Sequence, residues 1–194
     1  MIGPEYLVFP LAAACLWILV RGIRRRESRF GMTVRLGTAA YVAAVSAVAF
    51  FPLPVQSGLL DFERQMQFMR DQFVAFGSIG PALTAGLGSG EMLQVLANMA
   101  MFVPVGMVVP LLTGPDRALR RTVVAAAAGG IAIEVGQFAV SRILGFTYRV
   151  TDIDDVILYI VGAVVGFGLF RLVGPLFLDR VVRDEATDRV EITP

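Results

Sequence analysis

The sequence contains no histidine and no lysine, and its only cysteine is Cys15. Without histidine, the chain cannot build a Ser-His-Asp triad or a zinc site that uses histidine ligands. A single cysteine excludes an intramolecular disulfide and a metal site made of several cysteines. Any chemistry must therefore use carboxylates, arginine, amides, tyrosine or hydroxyl groups.

Charge is also scarce, because charged residues make up only 17% of the chain. The 17 arginines and 16 acidic residues give a formal net charge of +1. This balance excludes a strongly basic nucleic-acid-binding protein, so we expect no nucleic-acid partner. Apolar residues are abundant instead, at 56%, and the mean hydropathy is +0.71. Such a composition is typical of an integral membrane protein.

Five apolar stretches are long enough to cross a bilayer, whose core needs about 20 mostly apolar residues per helix. They cover residues 6–20, 36–55, 92–112, 122–140 and 156–173. The predicted fold class is therefore all-α, a polytopic transmembrane helix bundle over residues 1–178. Residues 179–194 mix arginine with acidic residues and are expected to form a solvated or disordered cytoplasmic tail.

The arginines predict the direction of the spans. Thirteen of the 17 follow the first and third spans or lie at the C-terminal end of the fifth span and beyond it, and four follow the second and fourth. Since arginine is enriched on the cytoplasmic side, the N-terminus is expected outside and the C-terminus inside. Opposite sides require an odd number of spans, which agrees with five.

The long outer loop at residues 56–90 also contains a pattern. Apolar side chains recur at steps of three and four residues, which predicts an amphipathic helix; they are Phe62, Met66, Met69, Phe73 and Phe76. Such a helix either lies on the outer membrane surface or packs over the bundle. The glycine-rich stretch at 77–90 is expected to be a flexible connection or a lid.

Polar residues interrupt the last three spans in three groups. The groups are Asn98, then Glu134 with Gln137, then Asp152 and Asp155 with Tyr159. At a rise of about 1.5 Å per residue, all three groups fall in the outer half of the membrane. This convergence predicts a polar cavity that opens to the outer face. The predicted ligand-binding residues are Asn98, Glu134, Gln137, Arg142, Arg149, Asp152, Asp155 and Tyr159.

Glu134 is the strongest single indication of a functional site, because placing an ionised carboxylate near the middle of the bilayer costs at least about 2.5 kcal/mol. Its expected partners are Arg142, Arg149 and Asn98. Glu134 is either part of a functional site or a bond that ties helices together. If the chain is an enzyme, Glu134 and Asp155 are its candidate catalytic residues.

The start of the fifth span has simpler explanations too. Thr151 fits a helix N-cap, and Asp154 stands at the acid position of a capping box. Asp152 and Asp155 also have the spacing that some membrane transferases use for magnesium, but a metal site normally needs more ligands. We therefore expect neither a metal nor another cofactor. The spacing of Gly162 and Gly166 permits close helix approach and makes that face a candidate for homodimerisation.

Three ordered motifs resemble the VanZ-like family of membrane proteins. They cover residues 98–106, 134–137 and 149–155, followed by the two glycines at 162 and 166, and the similarity extends over about 93–170. The family marks the positions of Asn98, Pro104, Gly106, Glu134, Gln137, Arg149, Asp152, Asp155 and Gly162. Tyr159 departs from the family, which usually has asparagine there, and the loop before the third span lacks the expected Asn-x-x-Pro-Phe-like stretch.

The resemblance implies a multi-pass protein of the bacterial plasma membrane. Founding members of the family are associated with resistance to the glycopeptide antibiotic teicoplanin. The leading hypothesis is a non-enzymatic protein that binds an amphiphile. Membrane lipids, an envelope precursor or a lipoglycopeptide are the candidate partners. The alternatives are a carboxylate-dependent enzyme acting on an envelope lipid and a proton-coupled transporter.

Overall fold

The computed structural model describes residues 3–25, 27–53, 70–114 and 116–191, with side chains described as far as residue 174. Within these ranges the fold is helical and has no strand. A short 3-10 helix, Pro4–Leu7, leads into the first α-helix. The α-helices are α1 (Val8–Arg25), α2 (Arg29–Phe50), α3 (Ile79–Ala85), α4 (Gly90–Thr113), α5 (Ala118–Leu144) and α6 (Ile153–Glu191).

Five of these helices are long and apolar enough to cross a membrane, which confirms the predicted spans. The observed helices depart from the predicted spans most clearly in the connection between the first two. There α1 continues to Arg25 and α2 already begins at Arg29. Arginine is a good helix former, and the Ser28 hydroxyl caps α2 by accepting a hydrogen bond from the Gly31 N–H at 3.1 Å. Much of the expected arginine-rich loop is therefore helical.

The centre of the bundle consists of α4, α5 and α6, and the most extensive contact joins α4 to α6. Helix α2 packs against this group, and α1 packs mainly on α2. The Phe102 and Tyr159 rings stack in the core, with centroids 4.3 Å apart. Gly130 lies beside the Tyr159 ring, where a Cβ atom would collide with it. The ring expected at the site is thus also part of the packing core.

Small residues bring the backbones of α4 and α6 close together. A Cβ atom at Gly162 would overlap the Met99 carbonyl, and one at Gly166 would overlap the Val103 carbonyl. Both glycines are buried. The close approach that we expected between two chains therefore occurs within one chain, and this face is not free for a homodimer.

The predicted amphipathic helix does not extend through the described part of the long loop. Residues 70–78 are irregular, Phe76 has a φ of 65°, and Phe73 and Phe76 are exposed. A left-handed φ is incompatible with a continuing α-helix. The residues Phe62, Met66 and Met69 lie outside the described residues. The glycine-rich connection that follows contains α3.

The C-terminal segment also differs from the expectation. We expected a solvated or disordered tail from residue 179, whereas the backbone of α6 is helical as far as Glu191. This helix is longer than a membrane span requires. The start of α6 is the part most relevant to the candidate site, because it carries three aspartates, Asp152, Asp154 and Asp155, which we call the acidic cluster.

Candidate functional site

Helix α6 begins one residue later than its capping pattern predicts. Its first helical residue is Ile153, and the Asp152 carboxylate accepts a hydrogen bond from the Asp154 N–H at 2.9 Å. Asp152 therefore acts as the N-cap, and the prediction for Thr151 is wrong. The Thr151 hydroxyl is buried and makes no hydrogen bond within the described residues. Aspartate is the stronger cap here because it carries charge next to the helix N-terminus.

Asp154 holds the end of the long loop against α6. Its fully buried carboxylate accepts hydrogen bonds from the N–H groups of Phe76, Ser78 and Ile79, at 2.6, 2.9 and 3.1 Å. The Ser78 hydroxyl also donates to Asp152. These contacts satisfy backbone donors at the start of α3, which would otherwise be left without partners. We call residues 76–79 with Asp154 the loop anchor.

A second contact fixes the same loop to the residues before α6. The Gln72 N–H donates to the Thr151 carbonyl at 2.8 Å, and the Ile153 N–H donates to the Gln72 carbonyl at 3.0 Å. The Thr151 N–H donates to the Asp71 carboxylate at 3.1 Å. These three hydrogen bonds hold the loop over this end of α6.

Glu134 is buried, with 5% of its surface exposed, and its partner is a backbone group. Its Oε2 atom accepts a hydrogen bond from the Asp152 N–H at 2.9 Å. The Tyr159 hydroxyl is close enough to interact with this carboxylate. The buried Oε1 atom nevertheless has no partner that meets the geometric criteria for a hydrogen bond within the described residues. The observed bond ties α5 to the start of α6, and the expected partners bind elsewhere.

Two amide side chains make similar ties between helices. The Asn98 amide on α4 donates to the Asp155 carboxylate on α6 at 2.5 Å. The Gln137 amide on α5 donates to the Ala49 carbonyl on α2 at 3.1 Å. Each polar group therefore has a partner across a helix interface, which reduces the cost of burying it.

The connection between α5 and α6 packs against the end of α2. The buried Tyr148 hydroxyl donates to the Phe50 and Pro52 carbonyls, at 2.7 and 2.9 Å. The Arg149 guanidinium donates to the Val48 and Phe51 carbonyls, at 3.3 and 3.1 Å. Carbonyls at a helix C-terminus lack intrahelical partners, so these two side chains complete the end of α2.

A cavity of about 320 Å³ lies between α2, α4, α5 and α6. Five of the eight predicted ligand-binding residues line it, namely Asn98, Gln137, Arg149, Asp155 and Tyr159. Gln94 and Tyr148 line it as well, and the sequence reasoning missed both. Gln94 was detectable as a polar residue one turn before Asn98, whereas nothing local distinguished Tyr148.

The other predicted residues lie outside this cavity. Glu134 lines a separate apolar groove of about 260 Å³, together with Phe73, Phe138 and neighbouring apolar residues. Arg142 is exposed, lies 4.5 Å over the Phe138 ring and has its Nη2 atom 3.6 Å from the Asp71 carboxylate. The expected single polar cluster is thus divided. Five of its residues line the cavity, Glu134 lines the groove, and Asp152 accepts a hydrogen bond from Ser78 of the loop anchor.

Two further observations concern metal binding and the other large groove. Within the described ranges, no group of three or more cysteine and acidic side chains is placed to hold a metal ion. A larger groove of about 690 Å³ lies between α1 and α2, but apolar side chains provide most of its lining. Among the spaces described, the 320 Å³ cavity is the one that combines charged and amide side chains.

Comparison with known families identifies a match over most of the chain. The family model described as VanZ/LLP1 matches residues 38–174, which include residues 38–50 of α2, all of α3, α4 and α5, and α6 as far as residue 174. No curated protein and no solved structure shows significant similarity to the chain. The matched region contains every residue of the cavity and of the loop anchor.

Proposed function

The chain belongs to the VanZ/LLP1 family, and on that basis we propose that it is a bacterial plasma-membrane protein that binds an amphiphile in the 320 Å³ cavity. The membrane location is supported by five helices of spanning length and composition. The ligand reaches the cavity from the half of the bilayer that the arginine distribution predicts to be the outer half.

The observation that carries the proposal is the lining of the cavity. Asn98, Gln137, Arg149 and Asp155 face one space, although they lie on apolar helices or at their ends. Exposing such groups to hydrocarbon would be costly, and the contacts within the chain use only part of the hydrogen-bonding capacity of Arg149 and Asp155. Apolar residues such as Val48 and Met101 also line the space. A ligand with a polar head and an apolar chain suits both kinds of surface.

The candidate ligands are a membrane lipid, a cell-wall precursor and a lipoglycopeptide such as teicoplanin. Family membership favours testing the last of these. The bonding of Glu134 supports a binding role over acid–base catalysis by a Glu134–Asp155 pair, because Glu134 is bonded to the Asp152 backbone and lines a different space.

Photo-crosslinking tests the binding site directly. A photoreactive residue at position 94 would sit in the cavity lining, and one at the half-exposed position 96 would sit on the same helix outside that lining. We expect position 94 to capture an amphiphile that position 96 does not. Identical adducts at the two positions would contradict a specific cavity ligand.

Antibiotic susceptibility tests the lipoglycopeptide specifically. Expression in a sensitive bacterium should raise resistance to teicoplanin more than to vancomycin, and Asp155→Asn should abolish the difference. Asp116→Asn is the matched control, because Asp116 is exposed near the opposite ends of α4 and α5. Equal susceptibility with and without the inserted protein would remove teicoplanin from the candidate ligands.

A further inference from the structure

The cavity presents two opposite charges that do not neutralise each other. Asp155 and Arg149 both line it, and within the described residues no ion pair joins them. Each is held by neutral groups instead. Asp155 accepts from the Asn98 amide, and Arg149 donates to backbone carbonyls. Both side chains therefore keep their charge available to a third group.

Asp155 is the carboxylate of the acidic cluster with the fewest donors. Asp154 accepts three backbone N–H groups, and Asp152 accepts the Asp154 N–H and the Ser78 hydroxyl. Asp155 accepts one amide through Oδ1, and its Oδ2 atom has no hydrogen bond within the described residues. A carboxylate can accept several hydrogen bonds, so Asp155 can still receive a cationic donor.

Arg149, which also lines the cavity, retains unused donors. Its bonds to Val48 and Phe51 both use the Nη2 atom. The guanidinium has five N–H donors in a planar arrangement that suits phosphate and carboxylate groups. An anion can therefore bind the remaining donors without displacing the contacts that close α2.

We propose that the cavity binds a zwitterionic headgroup, with a primary ammonium at Asp155 and an anionic phosphate at Arg149. This inference rests on the proposed amphiphile-binding function and names the class of ligand. A simple anion is repelled by Asp155 and the neighbouring acids, and a simple cation is repelled by Arg149. A zwitterion satisfies both charges, and these attractions are stronger in a partly buried site than in water. The Gln94 and Gln137 amides supply neutral hydrogen bonds to the same ligand.

Native mass spectrometry of the full chain in detergent tests this with defined lipids. Phosphatidylethanolamine carries both groups, phosphatidylglycerol lacks the cation, and phosphatidylcholine has a cation without N–H donors. We expect phosphatidylethanolamine to bind about tenfold more tightly than either of the others. Soluble glycerophosphoethanolamine, added as a competitor, distinguishes the sources. Competition would indicate a soluble zwitterion, and its absence would indicate a bilayer lipid.

Single substitutions test the separate contributions of Asp155 and Arg149 to lipid binding. Asp155→Asn keeps an acceptor for Asn98 and should remove the preference over phosphatidylglycerol. Arg149→Gln should weaken phosphatidylethanolamine binding by about tenfold, and Arg149→Lys should restore part of it. Arg142→Gln and Asp116→Asn remove charges outside the cavity lining and should leave the preference unchanged. Size-exclusion chromatography and helical circular dichroism verify that each variant is folded.

Two outcomes would overturn the inference, and they differ in meaning. Equal binding of the three lipids by the unaltered protein, or an unchanged preference in folded Asp155→Asn, would refute zwitterion recognition but leave amphiphile binding intact. Failure of the folded protein to retain any lipid or other amphiphile above the level of a detergent control would refute the proposed function itself.

Discussion

The bond from the Asn98 amide to the Asp155 carboxylate joins two apolar helices at the wall of the cavity. A charged acceptor strengthens a hydrogen bond, and a partly buried position reduces competition from water. The same bond uses one oxygen of Asp155, and the other oxygen has no hydrogen bond within the described part of the chain. One contact thus contributes both to helix packing and to the binding properties of the cavity.

Asn98→Ala should lower the free energy of unfolding by about 1–3 kcal/mol, because it leaves the Asp155 carboxylate without its donor. Gln94→Ala is the control, since Gln94 is exposed and lines the cavity but makes no hydrogen bond within the described residues. Thermal unfolding of both variants in the same detergent measures the difference. Equal loss of stability in the two variants would show that the Asn98 bond contributes no specific stability.

At the scale of elements, the loop anchor connects chain segments that are distant in sequence. Asp154 accepts hydrogen bonds from the N–H groups of Phe76, Ser78 and Ile79, and Gln72 forms backbone hydrogen bonds with Thr151 and Ile153. The start of α6 therefore positions the loop, and the loop covers the start of α6. Movement of this loop would require several backbone hydrogen bonds to break together.

Asp154→Asn should release the loop, because an amide has one acceptor oxygen for three N–H donors and loses the charge. We expect the variant to lose about 1.5–3 kcal/mol of stability. The amides of Phe76, Ser78 and Ile79 should exchange with deuterium at least about tenfold faster, while α4 amides keep their rates. Unchanged protection of the three amides would mean that the anchor does not hold the loop.

The interface between α4 and α6 depends on glycine at defined positions. Gly162 and Gly166 allow α4 carbonyls to approach α6, and Gly106 allows the reverse approach. By contrast, a Cβ atom at Gly168 would meet nothing within 4 Å. Helix α6 therefore contains one glycine that the packing requires, Gly166, and one that the packing does not require, Gly168.

Gly166→Ala should destabilise the protein by about 1–3 kcal/mol, because the added methyl group forces the two helices apart. Gly168→Ala should be neutral or stabilise it by up to about 1 kcal/mol, since alanine favours helix over glycine. Thermal unfolding compares the pair directly. A greater loss from Gly168→Ala would contradict the observed packing of α6.

At the scale of the whole molecule, the arginine distribution predicts which end of the bundle faces the cell exterior. In a Cys15→Ala background, Arg142→Cys places a thiol at the end where α5 joins α6, and Asp116→Cys places one at the other end. We expect an impermeant maleimide to label position 142 on intact cells and position 116 only after permeabilisation. The reverse labelling would place the cavity in the cytoplasmic half of the membrane.

Sequence reasoning predicts the helices more completely than the contacts between them. Hydropathy identifies all five spanning helices because each is a continuous apolar run. Depth along the helices places Asn98 and Asp155 in the same half of the membrane, and the structure joins them by a hydrogen bond. Depth alone does not reveal rotation about the helix axis, which separates Glu134 from the cavity that Gln137 lines.

The backbone contacts escape prediction for another reason. The Asp152 N–H that binds Glu134 and the three N–H groups that bind Asp154 belong to no side-chain pattern. The sequence motifs thus indicate which polar residues lie within the helices and at their ends, and tertiary structure determines their partners.

The bond between Glu134 and the Asp152 N–H also constrains how the chain is inserted during synthesis. Glu134 is made 18 residues before its donor. A nascent chain that ends within α5 therefore carries this carboxylate without the donor that it has in the folded protein. The pair of helices α5 and α6, joined by a short connection, is the smallest unit that contains both partners. We accordingly expect the two helices to enter the bilayer together as a hairpin.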